Sequence, residues 1–532
     1  MTRNGLAGSG RNLFFPSIAG TISTAAVKTP SFPMAAAVAF ILATGLRFTP
    51  PCRAAGPASA VENSVVKVFS TVRSPDVFRP WTKQPSSEIT GSGVVIEGKR
   101  ILTNAHVVLY AGQVQVQGNK SGDKYSATVE AIAPGIDLAV LRLDDESFFD
   151  TRPPLPRSRS LPEVKDAVLA YGFPTGGTSL SITKGIISRI EFVPYNFPVS
   201  GLRIQIDAAI NHGNSGGPAV AGDRMIGLAF STENNAQNIS YIIPSEEIDL
   251  FLGQVSTGPY QGKPTLFDQT QKLQNPALRR FLRLGTDARG VIVFLPAGDG
   301  PGYPLKKWDV ITRIGSAPID DEGMVEIGPN LRVRFDYLVQ KIARDGLVPL
   351  TLIRDGKELR VDAPVPSRRP LLIEDLAGAY PDYFIYGPIV LSTATSQYIS
   401  GFNRDAKDNF EFFGSPLFTR RGVLPAFPGE KLVVVSSPFF PDRLSQAYTN
   451  PVGWVVKAVD GIPIRNLPQL VQVLRDAKGE FVTIEYFGRA FEMMVFPRKS
   501  MLEATDNILN DNDVRAQGTP ELMKIWNAGR AE

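Results

Sequence analysis

Cysteine is almost missing from this chain. Cys52 stands alone among 532 residues, so no intrachain disulfide can form and no thiolate cluster can bind a metal. Histidine is nearly as scarce: His106 and His212 are the whole supply of imidazole, and neither has companions at metal-ligand spacing. Acid is absent from residues 1–60, which hold five basic groups (Arg3, Arg11, Lys28, Arg47 and Arg53), so the net charge of +4 leaves the rest of the chain near neutral. A near-neutral folded part lacks the clustered cations that phosphate binding needs, and nucleic acid is not expected as a partner. The longest apolar run of the leader, Met34–Leu46, is shorter than the roughly 20 residues a bilayer span requires.

That leader reads as a targeting segment. An apolar core followed by Ala58-Ser59-Ala60 suits a signal peptide cut after Ala60, which would send the protein to an exported or periplasmic compartment and remove Cys52. The acid-free, Ser- and Arg-containing composition also suits import into a plastid or mitochondrion.

Beyond it, Gly and Pro, of which the whole chain has 48 and 43, punctuate short β runs: Gly93–Glu97, Val114–Val116, Leu138–Leu143, Ala167–Tyr171, Leu202–Ile206 and Met225–Ala229. Even spacing with turn residues between indicates an all-β barrel or sandwich over 61–255. A helix from Pro244 to Leu252, capped by Ser245, closes it, and a Gly/Pro linker follows. The remainder repeats. Val310–Ile319 matches Val455–Ile464 at an offset of 145, whereas Leu338–Gln340 and Thr351–Gly356 match Leu470–Gln472 and Thr483–Gly488 at 132. The difference is a 13-residue insertion within Asp320–Arg334. Two α+β modules, 265–366 and 367–500, are predicted, with 501–532 as a tail or a closing helix.

Three segments carry chemistry. Gly213-Asn-Ser-Gly-Gly-Pro218 sets Ser215 among glycines, whose freedom of φ lets the amides of Gly213 and Ser215 converge as an oxyanion hole. A serine hydroxyl needs a base, and His106 follows the apolar run Ile101-Leu102. Asp137 sits at the mouth of the apolar run Leu138–Leu143, where a carboxylate is costly unless a partner such as imidazole donates to it.

The motifs Thr103-Asn-Ala-His-Val-Val108, Asp137-Leu-Ala-Val140, Asp207-Ala-Ala-Ile-Asn211 and Gly213–Pro218 resemble the HtrA/DegP family of serine endopeptidases. The resemblance implies a chymotrypsin/trypsin-like double β-barrel followed by two PDZ-like modules, and ATP-independent degradation of unfolded or damaged proteins by trimer-based homo-oligomers. It implies Ser215 as nucleophile, His106 as base and Asp137 as orienting carboxylate, with no cofactor. His212 departs from the family pattern and is read as a solvent-facing turn residue. A substrate pocket is expected from Ile210, Gly227, Leu228 and Ala229; with no acid in Gly227–Ser231, it favours a small or medium apolar side chain. Peptide C-termini are expected at a nest around Arg289, Gly290 and Val291 of the first module, whereas Pro388 lacks the amide for such a nest in the second. The other reading is a chaperone-like or scaffolding protein that holds unfolded chains with a poorly assembled triad.

Overall fold

The computed structural model describes residues 57–195, 199–232, 240–328, 331–489 and 491–528. The apolar run Met34–Leu46 and Cys52 lie outside the described residues, as do Glu233, Asn234 and Asn235; the expected cut after Ala60 falls inside the first helix.

Helix α1 (Pro57–Ser64) leads into a barrel of β1 (Val65–Val72), β2 (Ser87–Ile96), β3 (Arg100–Thr103), β4 (Ala111–Gly118), β5 (Lys124–Ala133) and β6 (Leu138–Leu143), with the one-turn helix α2 (Ala105–Val108) after β3. Its strands close in the order β1-β2-β3-β6-β5-β4. Side chains alternate along each strand, so Val66, Val95, Ile101 and Leu141 fill the barrel while Val65, Val94, Leu102 and Val140 face outward into a second apolar cluster. That cluster is the seam with a second closed barrel, made from β7 (Ala167–Gly172), β8 (Ser181–Pro194), β9 (Ser200–Ile206), β10 (Pro218–Ala221), β11 (Arg224–Thr232) and β12 (Ser240–Pro244). Tyr171, Met225 and Leu228 enter the seam from this side, and helix α3 (Ser245–Val255) adds Ile248 and Phe251. Pro244 occupies the helix cap expected of Ser245, whose hydroxyl instead donates to Met225 O (2.7 Å).

The first module contains β13 (Gln269–Lys272), α4 (Pro276–Phe281), β14 (Val291–Leu295), β15 (Val310–Ile314), β16 (Ala317–Pro318), β17 (Met324–Glu326), β18 (Arg332–Arg334), α5 (Asp336–Ile342), β19 (Leu347–Arg354) and β20 (Lys357–Pro364). The second contains β21 (Tyr383–Tyr386), β22 (Ile389–Thr393), α6 (Ser396–Ser400), α7 (Arg404–Phe412), α8 (Pro416–Thr419), β23 (Val433–Val435), β24 (Val456–Val459), β25 (Ile462–Pro463), α9 (Leu467–Asp476), β26 (Phe481–Tyr486) and β27 (Met494–Pro497). The sequence repeat maps β15, β16, α5 and β19 onto β24, β25, α9 and β26, and the insertion is the separate ribbon β17–β18. The segment after residue 500 is helical and packed: α10 (Arg498–Asp511) and α11 (Pro520–Asn527) bury Met501, Leu522 and Trp526 in the core of the second module.

Both modules are fastened to the barrels. Helix α5 lies on α3, where Glu246 accepts from Tyr337 (3.1 Å) and pairs with Lys341 (2.8 Å), and Glu247 accepts from Gln340 (3.0 Å). Glu247 also holds the fully buried Lys263 of the linker at 2.9 Å. The β1–β2 loop carries Phe78 against Phe402 (ring centroids 5.2 Å) and Trp81 against Phe440 (5.2 Å) of the second module. Tyr110, four residues after His106, donates to Ala379 O (3.2 Å).

Candidate active site at the seam of the barrels

His106 is held by the turn of α2 at the end of β3, and its imidazole is about half exposed. A 3-10 turn, Pro134–Ile136, delivers Asp137 in the left-handed region (φ 56°) just before β6. Asn104 fixes that turn by donating from Nδ2 to Asp137 O (2.9 Å). The nearly buried carboxylate then makes two contacts with one residue: Oδ1 accepts from the His106 main-chain N–H (2.9 Å), and Oδ2 meets Nδ1 at 2.8 Å. This pair sets both the position and the tautomer of the ring, leaving Nε2 to face the solvent side. Burial alone would lower the imidazole pKa, but the hydrogen bond and charge of Asp137 outweigh it, and the net shift is upward from the ordinary value.

Ser215 arrives from the second barrel on a turn that only glycine permits. Gly213 has φ 96°, and a Cβ there would lie 2.5 Å from Phe173 O and from Thr175 N. Gly216 has φ 88°, and a Cβ would lie 2.0 Å from Ser92 O. The Ser215 carbonyl accepts from the Ser92 N–H (2.8 Å), joining the turn to β2. A Cβ built on Gly91 would meet both Val107, next to His106, at 2.7 Å and Ser215 O at 3.2 Å, so the serine and histidine turns converge on this glycine. Among the described residues no hydrogen bond joins Ser215 Oγ to His106; such bonds commonly tighten only with substrate bound.

The peptides around Gly213 are fixed from both sides. His212 O accepts from the Thr175 N–H (2.7 Å), and because the peptide is planar and trans the Gly213 N–H points the opposite way. Gly213 O accepts from Ser92 Oγ (2.7 Å), and Ser92 Oγ in turn accepts from the Phe173 N–H (2.8 Å). Among the described residues the N–H groups of Gly213 and Ser215 have no internal acceptor. Sequence reasoning missed Ser92; its one signal was a hydroxyl flanked by glycines, Gly91-Ser92-Gly93, just before the apolar Val94-Val95-Ile96.

The expected pocket residues separate. Ile210 and Ala229 share one apolar cluster with Ala208 and Ile242, but Leu228 faces the opposite side into the inter-barrel seam, as the twofold period of a strand demands. Gly227 is closed off, since a Cβ there would lie 2.5 Å from Ile243 O. His212 is exposed, as expected of a turn residue. The nest expected at Arg289, Gly290 and Val291 is also corrected. It opens onto β14, which is paired on both edges in the sheet β13-β14-β15-β19-β20, so no peptide strand can be added there. The Gly290 N–H is taken by Asp321 (3.3 Å). In the second module Gly387-Pro388 is the two-residue turn of the β21–β22 hairpin, not a nest. The outer edge of β21 is already covered, with Ile385 N–H donating to Gln517 O (2.8 Å) and Thr519 N–H to Tyr383 O (3.1 Å).

Two six-stranded barrels with an imidazole–carboxylate pair and a glycine-framed serine at their seam define a trypsin-like serine endopeptidase, and a family model for the trypsin-like peptidase domain matches residues 91–228. A PDZ domain model matches residues 374–521. The chain is 35% identical over 453 residues to Protease Do-like 4, mitochondrial, of Arabidopsis thaliana, covering 84% of this chain and 83% of that protein. It is 34% identical over 473 residues to Protease Do-like 2, chloroplastic, of the same plant, covering 87% and 76%. A solved HtrA-type protease, AlgW with tripeptide, aligns over 59% of this chain and 97% of that one at 26% identity, with a TM-score of 0.46. The chain belongs to the Do-like, or HtrA/DegP, family, and it is a serine protease of protein quality control.

Proposed function

We propose that this protease cuts unfolded or damaged polypeptides without ATP, using Ser215, His106 and Asp137. Ser215 Oγ attacks the scissile carbonyl carbon as its proton passes to His106 Nε2. Asp137 holds the Nδ1–H and stabilises the imidazolium. The Gly213 and Ser215 amides receive the oxyanion, and the tetrahedral adduct collapses as His106 returns the proton to the departing amine. Water, deprotonated by the same imidazole, then releases the acyl group from Ser215. The observation that carries the reading is the His106–Asp137 pair, joined by two hydrogen bonds, together with a serine turn whose Gly213 and Ser215 amides have no acceptor among the described residues.

The apolar cluster around Ile210 and Ala229 favours small or medium apolar side chains at the cleaved position. Peptide ends are captured by the first module along the outer edge of β13, the strand of that sheet with an unpaired side next to the linker. The acid-free leader is an organellar import signal; the mitochondrial and chloroplastic names of the relatives support this over export. Assembly into trimers follows from the family resemblance and is read out by native mass. Incubation with casein beside the Ser215→Ala variant tests the central reading: cleavage by the wild type alone supports it, and equal cleavage by both, or binding of casein without cleavage by either, overturns it.

A further inference from the structure

The first PDZ-like module displays an aromatic surface that the protease mechanism does not use. Phe281, at the end of α4, is 65% exposed and meets Trp308, 41% exposed, edge to face at 5.3 Å. Trp308 is held there at a cost, because its φ of 78° is one that bulky side chains rarely adopt. Its main-chain N–H donates to Val293 O (2.8 Å), which ties this residue to β14, where Phe294 is also exposed.

The rim of this surface is cationic. Arg280 and Arg283 flank Phe281, while Lys306 and Lys307 precede Trp308. All four are exposed, and among the described residues none of the four forms an ion pair; neighbouring Arg279 and Arg289 are both engaged by Asp321. The acid nearest in sequence, Asp309, is buried and neutralised by Arg354 at 2.6 Å. The patch also lies on the α4 side of its sheet. Val291 and Val293 point into the core shared with α5 and the second barrel, whereas Ile292 points to the opposite face, which α4 covers through Leu278 and the residue after the helix, Leu282. A large flat partner can therefore approach without meeting the barrel that α5 is fastened to.

We propose that this patch docks the protease on the surface of an anionic bilayer, with Phe281 and Trp308 entering the headgroup region and the four cations pairing with lipid phosphates. Exposed aromatics beside Lys and Arg that form no ion pair among the described residues, one of them Lys307 with its ammonium 5.2 Å from the Trp308 ring centroid, match the chemistry of such an interface. Docking would be peripheral, since no helix among the described residues is long and apolar enough to cross a membrane. The same charges disfavour a second copy of the patch as the occupant, because four cations would face four.

The test is sedimentation of the full chain with phosphatidylcholine vesicles and with vesicles containing about a third phosphatidylglycerol. Binding at least tenfold tighter to the anionic vesicles, weakened by salt, is expected. Lys306→Gln with Lys307→Gln should weaken it by roughly fivefold per cation, and Phe281→Ser with Trp308→Ser should abolish it while casein cleavage persists. Equal affinity for both vesicles, no binding to either, or variants that bind as the wild type does would overturn the proposal. So would variants that change the native mass and leave lipid binding intact, which would assign the patch to a protein contact.

Discussion

Replacing Ser92 by alanine removes one buried hydroxyl that touches neither substrate nor the imidazole, yet it should cripple the enzyme. The hydroxyl donates to Gly213 O at 2.7 Å and accepts from the Phe173 N–H at 2.8 Å, so its loss strands two buried main-chain groups at about 1–3 kcal/mol each. The cheapest relief is rotation of the 213–214 peptide, whose carbonyl Ser92 held; it hinges on the Cα of Gly213, which is free to change φ, and drags on the 212–213 peptide, so that the Gly213 N–H, now kept in place by the His212 O–Thr175 N–H bond alone, swings out of line with the oxyanion. A lost donor of this kind costs about 10² to 10³ in kcat. The assay is steady-state cleavage of a fluorogenic peptide with kcat and KM separated. KM should change little, because the amides act on the charge that develops in the transition state. A thermal melt shows whether the fold survives. A Ser92→Ala protein with kcat within about twofold of wild type would refute the reasoning, as would an equal loss spread over KM alone.

Other consequences follow from the same geometry. Asp137→Asn should keep the fold but lower kcat by roughly 10⁴, since an amide presents the wrong hydrogen-bonding pattern to the ring; a loss under tenfold in peptide cleavage would contradict the assigned role. The raised His106 pKa places the acidic limb of kcat/KM above the ordinary imidazole value near 6.5, with activity lost as pH falls through it, because the protonated ring cannot act as base. A limb at or below that value would speak against Asp137 holding the imidazolium. Glu247→Ala strands Lys263 in the interior, at about 3–5 kcal/mol; differential scanning should show the melting of the barrel and first module lowered by roughly 10 °C, and an unchanged melt would mean that the pair is dispensable.

How much of this was legible in the sequence depends on the range of the interaction concerned. The residues proposed as the triad, His106, Asp137 and Ser215, stood out because each sits in a short motif whose local chemistry is unusual, an acid before an apolar strand or a serine between glycines, and the structure pairs the first two. The repeat was readable for the same reason, and its insertion proved to be a self-contained ribbon. Sheet order was not readable. Nothing in Arg289-Gly290-Val291 reveals that β14 is flanked on both sides, because that depends on where Gln269–Lys272 returns. Leu228 was a different kind of error. The twofold alternation that places Ala229 in the same apolar cluster as Ile210 excludes its neighbour, and the pattern alone contained that information. The docking of the β1–β2 loop on the second module left a trace in its two aromatics, Phe78 and Trp81, but their partners Phe402 and Phe440 lie more than 300 residues away.

The central claim is that one hydroxyl is made reactive by one imidazole. It is tested most directly by treating the protein with a fluorophosphonate and mapping the adduct by mass spectrometry. The account predicts a single stoichiometric adduct on Ser215 that His106→Ala reduces at least a hundredfold. An adduct elsewhere, or labelling of Ser215 that is indifferent to His106, would contradict it.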